Sequence, residues 1–266
     1  MFSRAAWLHL RIPFSYFLLP VFLFAFVVGN TPNTGKAWWV FFIIHFLLYP
    51  ASNGYNSYFD KDEQSIGGLK NPPPVQQGLY YLSLLFDVVA VVAGYIFVNV
   101  LFAAMLFIYG AVSKAYSHPA IRLKKYAIVS WLITGLFQGL FTFCMCVAAL
   151  NNYALSELWQ PAVIIPGCLT CIMLWANYPM TQIYQHDEDA RRGDYTLSLK
   201  LGIRGTFYFT ALFFAVVTAG FVWYFNVYWS AYHALFFVLA LSPVVVYFLY
   251  WFIRVYRDVS KADYHH

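Results

Sequence analysis

Long apolar runs decide what this chain can fold into. They lie near residues 12–29, 37–59, 78–97, 98–117, 127–150, 158–186, 205–225 and 229–254, and each is long enough to cross the ~30 Å of hydrocarbon in a bilayer as a helix. Hydrocarbon offers no partner to a free N–H or C=O, so a spanning segment must close its backbone hydrogen bonds internally. The chain is therefore expected to be an all-α polytopic membrane protein, a bundle of about eight transmembrane helices in one domain over residues 1–266. Composition agrees, because 62% of the residues are hydrophobic and only 10% are charged, a balance suited to lipid rather than water. The division between the third and fourth runs is marked only by Asn99.

Charge gives the bundle an orientation. With the N-terminus in the cytoplasm, fifteen of the sixteen Lys and Arg residues fall on the cytoplasmic side and Lys36 is the exception. That asymmetry is the positive-inside pattern, so a multi-pass membrane protein with both termini cytoplasmic is expected. The net charge of +5 then reports topology and attraction to an anionic lipid bilayer, and gives no reason to invoke nucleic acid. The first apolar run leads into further spans without a small-residue cleavage site, so no removable signal peptide is expected.

A few polar residues lie inside the runs. Cys144, Cys146, Cys168 and Cys171 read as small hydrophobes, and His45 reads as a hydrogen-bonded packing residue. Asp87 sits at mid-depth among Leu85, Phe86, Val88 and Val89, where a carboxylate must face the interior and find a partner that the sequence does not name. Gly135 and Gly139 are spaced to let helices approach closely.

Two stretches repeat each other. Residues 49–60, YPASNGYNSYFD, and 178–189, YPMTQIYQHDED, align without a gap, which divides the chain into two pseudo-repeated halves. At about 100° per residue, Asn53, Asn56, Asp60 and Gln64 fall on one helical stripe, and Gln182, Gln185 and Asp189 fall on another. Each stripe is a column of oxygen atoms at the end of an apolar run, and two such helix ends are placed to face one shared site. An old duplication that only bonds helix to helix through amides would also give such stripes. It would not gather Asp60, Asp62, Glu63, Asp187, Glu188, Asp189 and Asp194 beside them. Hard oxygen ligands of this kind suit Mg²⁺, which binds through one or two carboxylates together with substrate phosphates.

Basic loops adjoin these ends. Lys70 follows the first stripe in a segment that Gly67, Gly68 and Pro72 to Pro74 keep from being helical. Arg122, Lys124 and Lys125 follow the fourth run, and Arg191 and Arg192 follow the second stripe. Lysine and arginine beside metal-binding carboxylates match a polyanion held by metal. They also match plain orientation signals.

These residues resemble the UbiA superfamily of intramembrane prenyltransferases. The family's first motif, Asn-x-x-x-Asp-x-x-x-Asp, is matched by Asn56, Asp60 and Gln64. Its helix-four loop, Tyr-Ser and then Leu-Lys, is matched by Tyr116, Ser117, Leu123 and Lys124. Its second motif is matched by Gln185, Asp189, Gly193, Thr196, Leu197, Leu201 and Gly202, and the opening Arg11-x-Pro13 is similar too.

The resemblance implies a helical bundle around a central cavity, with a prenyl diphosphate held by Mg²⁺ between the motifs. Asp60, Gln64, Gln185 and Asp189 would be its metal ligands, and Asn56, Asp60, Tyr116, Lys124 and Asp189 its catalytic residues. Asn53, Lys70, Ser117, Arg122, Lys124, Gln182, Gln185, Arg191 and Arg192 would bind the substrate. The diphosphate would leave, and a hydrophobic acceptor in the membrane would capture the allylic cation.

Two departures qualify the match. Gln64 and Gln185 stand where the family has aspartate, so each stripe keeps one carboxylate, and eight runs stand where the family commonly has nine helices. Two alternatives stay open: an intramembrane terpene cyclase of the same superfamily, which needs no acceptor, and a catalytically weakened lipid-binding or transport protein.

Overall fold

The protein is described by a computed structural model covering residues 3–29 and 32–263. Among the described residues every regular element is a helix, apart from two isolated β-bridges. Seven helical runs are long and apolar enough to cross a membrane: Arg4–Val28, Gln77–Phe97, Val100–Ser117, Ala127–Asn151, Pro161–Gln182, Leu197–Tyr228 and Ala231–Arg257. The eighth expected run, 37–59, is helical throughout, but Ser52, Asn53, Asn56 and Ser57 make its second half too polar to count by composition. The all-helical class is as expected, with one span fewer by this measure.

The chain divides into two compact units, residues 1–124 with 141–163, and residues 125–140 with 164–266. The first opens with α1 (Arg4–His9), whose first turn is capped by Ser3 Oγ accepting from the Ala6 amide at 3.2 Å. A turn at Arg11, in the left-handed region at φ 48°, leads through a 3₁₀ stretch into α2 (Leu19–Val28). Next, α3 (Thr34–Phe42), a π-helical stretch Ile43–Leu48 and α4 (Tyr49–Asp60) form one continuous path. Pro50 at the start of α4 lacks an N–H, and the wide π turn before it shifts the hydrogen-bond register where the proline enters.

α5 (Gln77–Phe97) and α6 (Val100–Ser117) form a helical hairpin. Asn99 makes the break between them, its Oδ1 accepting from the Phe102 amide at 2.8 Å as an N-cap. Small residues bring these helices together: a Cβ on Gly94 would lie 2.6 Å from Leu106, and one on Gly54 of α4 would lie 2.5 Å from Ser83 Oγ of α5. α8 (Thr142–Asn151) is buried almost along its whole length and packs on α2, α3 and α6. Its Cys144 and Cys146 are free and buried, and Cys171 in the other unit is the same, whereas Cys168 is free and exposed and so is not the buried small hydrophobe expected. His45 makes the packing contact expected of it, bonding to the Phe41 carbonyl at 3.1 Å and stacking on the Phe41 ring.

The second unit holds α7 (Ala127–Gly135), most of α9 (Pro161–Asn177), a 3₁₀ stretch Tyr178–Gln182, and α10 (His186–Arg192). It ends with α11 (Leu197–Tyr228) and α12 (Ala231–Arg257). Gly135 meets the Trp175 ring and Gly139 the Cys171 backbone, the close approach their spacing predicted. α11 and α12 pack through Phe207, which stacks on Phe252 at 5.1 Å and joins a cluster with Ile183, Trp251 and Val255. α11 is kinked at Gly202, whose φ 71° and ψ 170° belong to a region open essentially to glycine alone.

Candidate functional site

α4 ends at Asp60 because Lys61 turns into the left-handed region at φ 51°, its amide still donating to the Ser57 carbonyl at 3.0 Å. The interior stripe of α4 is Ser52, Asn56 and Asp60, four residues apart, and it meets α6 rung by rung. Ser52 and Ser113 bond through their hydroxyls. Ser117 Oγ donates to Asn56 Oδ1 at 2.8 Å, and Asn56 Nδ2 donates to Asp60 Oδ2 at 2.8 Å. Lys124 Nζ forms an ion pair with Asp60 Oδ1, both side chains being at least nine-tenths buried. Each group has one orientation that satisfies its neighbour, so the chain of bonds presents Asp60 as an ionised carboxylate.

Other candidates of this unit fall differently. Asn53 turns toward the N-terminal stretch, bonding to Arg11 Nη2 and to the Leu10 carbonyl, both at 3.5 Å. Gln64 lies past the end of α4 and is exposed, so it does not continue the stripe; the left-handed turn at Lys61 removes it. Lys70 is exposed, with its carbonyl accepting from Ser65 at 2.8 Å. Tyr116 is half-buried in the last turn of α6, and Arg122 is half-buried at a left-handed turn, φ 45°, after His118.

Sequence reading missed how the loop after Asp60 is held. His9 Nε2 donates to the Pro73 carbonyl at 2.7 Å, and Arg11 Nη1 donates to the Gly67 carbonyl at 3.2 Å. The Phe14 ring lies so close to Gly67 that a Cβ there would sit 2.6 Å away. The Arg-x-Pro opening was visible, but nothing in sequence links it to residues 56 positions onward.

In the second unit the repeat adopts another shape. α9 ends at Asn177, Tyr178–Gln182 is 3₁₀, and a new helix, α10, starts after Gln185, which takes φ −109° and ψ 7° as its N-cap residue. Gln182, Gln185 and Asp189 therefore do not share one helical stripe. The reason is chemical: Asp187, Glu188 and Asp189 occupy a first helical turn, where the exposed amides favour carboxylates, and Arg191 and Arg192 close the last turn before Gly193 at φ 74°.

Asp189 is buried, its Oδ1 accepting from Arg192 Nη2 at 3.2 Å, while Arg192 Nε lies 4.0 Å from Asp194 Oδ2. Arg191 is exposed. The Tyr195 amide donates to the Lys125 carbonyl at 3.3 Å, which ties the 193–196 loop to the residue following Lys124. His186 Nε2 bonds to Ser198 Oγ at 2.7 Å, Ser198 to Thr206 Oγ1 at 3.0 Å, and Thr206 donates to the Gly202 carbonyl at 2.8 Å. With the Thr206 proton on that carbonyl, Ser198 donates to Thr206 and His186 donates from Nε2. Burial lowers the His186 pKa below its ordinary 6.5, with Asp187 acting partly against it.

The donor set fits Mg²⁺ of one particular kind. Among the described residues no group of three or more His, Cys, Asp or Glu converges as a metal cage. Each unit instead offers buried or nearly buried carboxylates, Asp60 and Asp62 in the first and Glu188, Asp189 and Asp194 in the second, and Gln182 adds a buried amide oxygen with no hydrogen-bond partner. That suits a hard cation that takes its remaining ligands from phosphate and water.

The architecture is similar to that of solved structures. A UbiA homolog from Archaeoglobus fulgidus bound to DMAPP and Mg²⁺ matches with a TM-score of 0.69 at 14% identity, over 94% of this chain and 86% of that one. A UbiA homolog from the same organism bound to GPP and Mg²⁺ gives a TM-score of 0.70 at 15% identity, over 95% and 87%. Likeness at such identity speaks for the fold. No curated protein matches in sequence. The pattern of the UbiA prenyltransferase family, however, matches residues 17–264, nearly the whole chain with both repeated stretches and the loop after α6, and the chain belongs to that family.

Proposed function

We propose that this protein is a Mg²⁺-dependent intramembrane prenyltransferase that ionises a prenyl diphosphate and passes the prenyl group to a hydrophobic acceptor in the bilayer. The observation that carries the reading is Asp60, an ionised carboxylate fixed by Asn56 and Lys124 at the end of a polar helical stripe. The archaeal structures of the same fold hold DMAPP or GPP with Mg²⁺, which supports a diphosphate as the anion these groups serve.

In this reading Asp60 and Asp189 would hold Mg²⁺, with Gln182 and Gln185 as weaker amide donors beside Asp189. The metal, when bound, neutralises charge that builds on the departing diphosphate. Lys124 and Arg192, cations already within reach of these carboxylates, would stabilise the same charge through charge-assisted hydrogen bonds. Ser117 and Asn56 orient Asp60 and prevent it from turning away. The C–O bond breaks with its electron pair on the diphosphate, and the allylic cation forms a new bond to the acceptor, which gives up a proton.

The test is to incubate purified protein with Mg²⁺ and labelled prenyl diphosphates of several lengths, with and without a membrane-lipid extract. The reading expects Mg²⁺-dependent diphosphate release and an acceptor-dependent organic product. A product formed equally without acceptor would identify a cyclase, and no release from any substrate would overturn both.

A further inference from the structure

We infer that Asp87 and Lys114, a buried ion pair outside the motifs, act as positioning residues that set the register of α4 against α6 and so aim Asp60. The inference rests on the proposed role of Asp60 for its functional meaning, but its structural content stands apart from it.

Asp87 lies midway along α5, flanked by Leu85, Phe86, Val88 and Val89. A carboxylate at that depth is costly in hydrocarbon and demands a partner. The partner is Lys114 of α6, whose ammonium forms an ion pair with Asp87, the two side chains being 17% and 18% exposed. Lys114 Nζ also lies 5.0 Å from the centre of the Tyr55 ring, a cation–π contact from α4. One pair thus joins three helices.

The surroundings leave it little room to shift. On one side Gly54 lets α4 close on Ser83, four residues before Asp87, and on the other a Cβ on Gly110 would lie 3.4 Å from Asp87 Oδ1. The pair is interleaved with the polar rungs of the site. Tyr55 precedes Asn56, and Lys114 lies between Ser113 and Ser117, the partners of Ser52 and Asn56.

A slip of one residue between α4 and α6 moves the contact faces by about 1.5 Å along the axis and 100° around it. That breaks the Ser117–Asn56 bond, and the Asn56 amide loses the contact that orients it toward Asp60. The other rungs are single hydroxyl or amide bonds. Asp87 anchors the Lys114 ammonium on α6, and Tyr55 of α4 meets that fixed cation, so the pair favours the register in which the ring and the ammonium coincide.

A purely structural pair predicts something different. Replacing both members of a buried ion pair with well-packed apolar residues is often neutral or stabilising. The double variant Asp87→Leu/Lys114→Met should therefore keep or raise the melting temperature. If the pair sets register, amide exchange at residues 56–60 should accelerate at least about tenfold in the ligand-free protein, and turnover of prenyl diphosphate should fall at least about tenfold. The charge-swapped variant Asp87→Lys/Lys114→Asp should recover much of the slow exchange.

Wild-type exchange at residues 56–60 in a stable double variant overturns the inference, whatever the enzyme activity. If exchange accelerates but the wild-type protein uses no prenyl diphosphate, the positioning role stands and the proposed function fails. Should the double variant not fold, the swapped variant decides: recovered protection supports the inference, and protection lost in a folded protein overturns it.

Discussion

Lys124→Gln is the substitution with the sharpest expected consequence, because its two effects have opposite signs. Lys124 and Asp60 are each about nine-tenths buried, and Asp60 also accepts from Asn56 Nδ2 at 2.8 Å. Charge-assisted hydrogen bonds contribute about 1.5–3 kcal/mol, which corresponds to roughly tenfold to over a hundredfold in a rate or binding constant. If Lys124 stabilises the leaving diphosphate, its loss should lower kcat/KM for prenyl diphosphate at least about tenfold. The same ammonium competes with Mg²⁺ for the Asp60 carboxylate, so its removal should tighten Mg²⁺ binding in the absence of diphosphate, again by roughly tenfold.

Calorimetric titration of the detergent-purified protein with Mg²⁺, followed by a diphosphate-release assay, reads the two effects separately. Asp60→Asn is the control, and it should weaken Mg²⁺ binding and remove the gain that Lys124→Gln gives. Unchanged Mg²⁺ affinity together with unchanged turnover in Lys124→Gln would refute the assignment of Asp60 as ligand and Lys124 as substrate clamp. Looser Mg²⁺ binding would refute the competition argument alone.

Four further outcomes are expected. Asp189→Asn should abolish turnover while the protein stays folded, as judged by diphosphate release and gel filtration, since Asp189 is the carboxylate at the family's position on the second motif. Gly202→Ala should destabilise the protein by about 1–3 kcal/mol, and because a Cβ there meets nothing within 4 Å the drop in melting temperature isolates backbone strain. His186, which lies beyond the span that ends at Gln182, has its pKa lowered below 6.5 by burial; the unfolded chain takes up that proton first as the pH falls through about 6.5, so stability should decline on the acid side and His186→Gln should flatten the decline in a pH series of melting curves. A single cysteine placed in the 151–157 loop should react with a membrane-impermeant reagent only from outside, and labelling only from the cytoplasmic side would contradict the charge-based topology.

Much of the fold was legible because hydrocarbon imposes it. Apolar length located the spans, and even the slight break at Asn99 was real, since that residue caps α6. Of the candidate residues in the first unit, Asn56, Asp60, Ser117 and Lys124 were legible through the motifs they resemble, and the structure joins all four in one chain of bonds. Gln64 was misplaced because the helix periodicity was extended beyond Asp60, while the left-handed turn at Lys61 has no strong sequence signal: lysine is not a residue that favours φ of 51°. The partner of Asp87 was hidden for another reason. Lys114 lies 27 positions away, and the positive-inside pattern already accounted for it, so one explanation concealed another.

The two repeats show why aligned residues need not do equal work. Asp60 is the last residue of a twelve-residue helix, where backbone carbonyls turn the end negative and disfavour a carboxylate. Lys124 offsets that field directly. Asp189 occupies the first turn of α10, where free amides favour the carboxylate, and it shares Arg192 with Asp194. Helix-end fields contribute about 0.3–1 kcal/mol each, up to ~2 in partly buried settings. If both carboxylates hold Mg²⁺ as proposed, they should differ in their appetite for a cation by roughly 1–2 kcal/mol, or about five- to thirtyfold in affinity, with Asp60 the stronger ligand once Lys124 is displaced. Sequence similarity hides this difference, because the sign depends on whether each acidic residue closes a helix or opens one. Comparing Mg²⁺ titrations of Asp60→Asn and Asp189→Asn measures it, and equal losses in the two variants would show that helix polarity does not divide their roles.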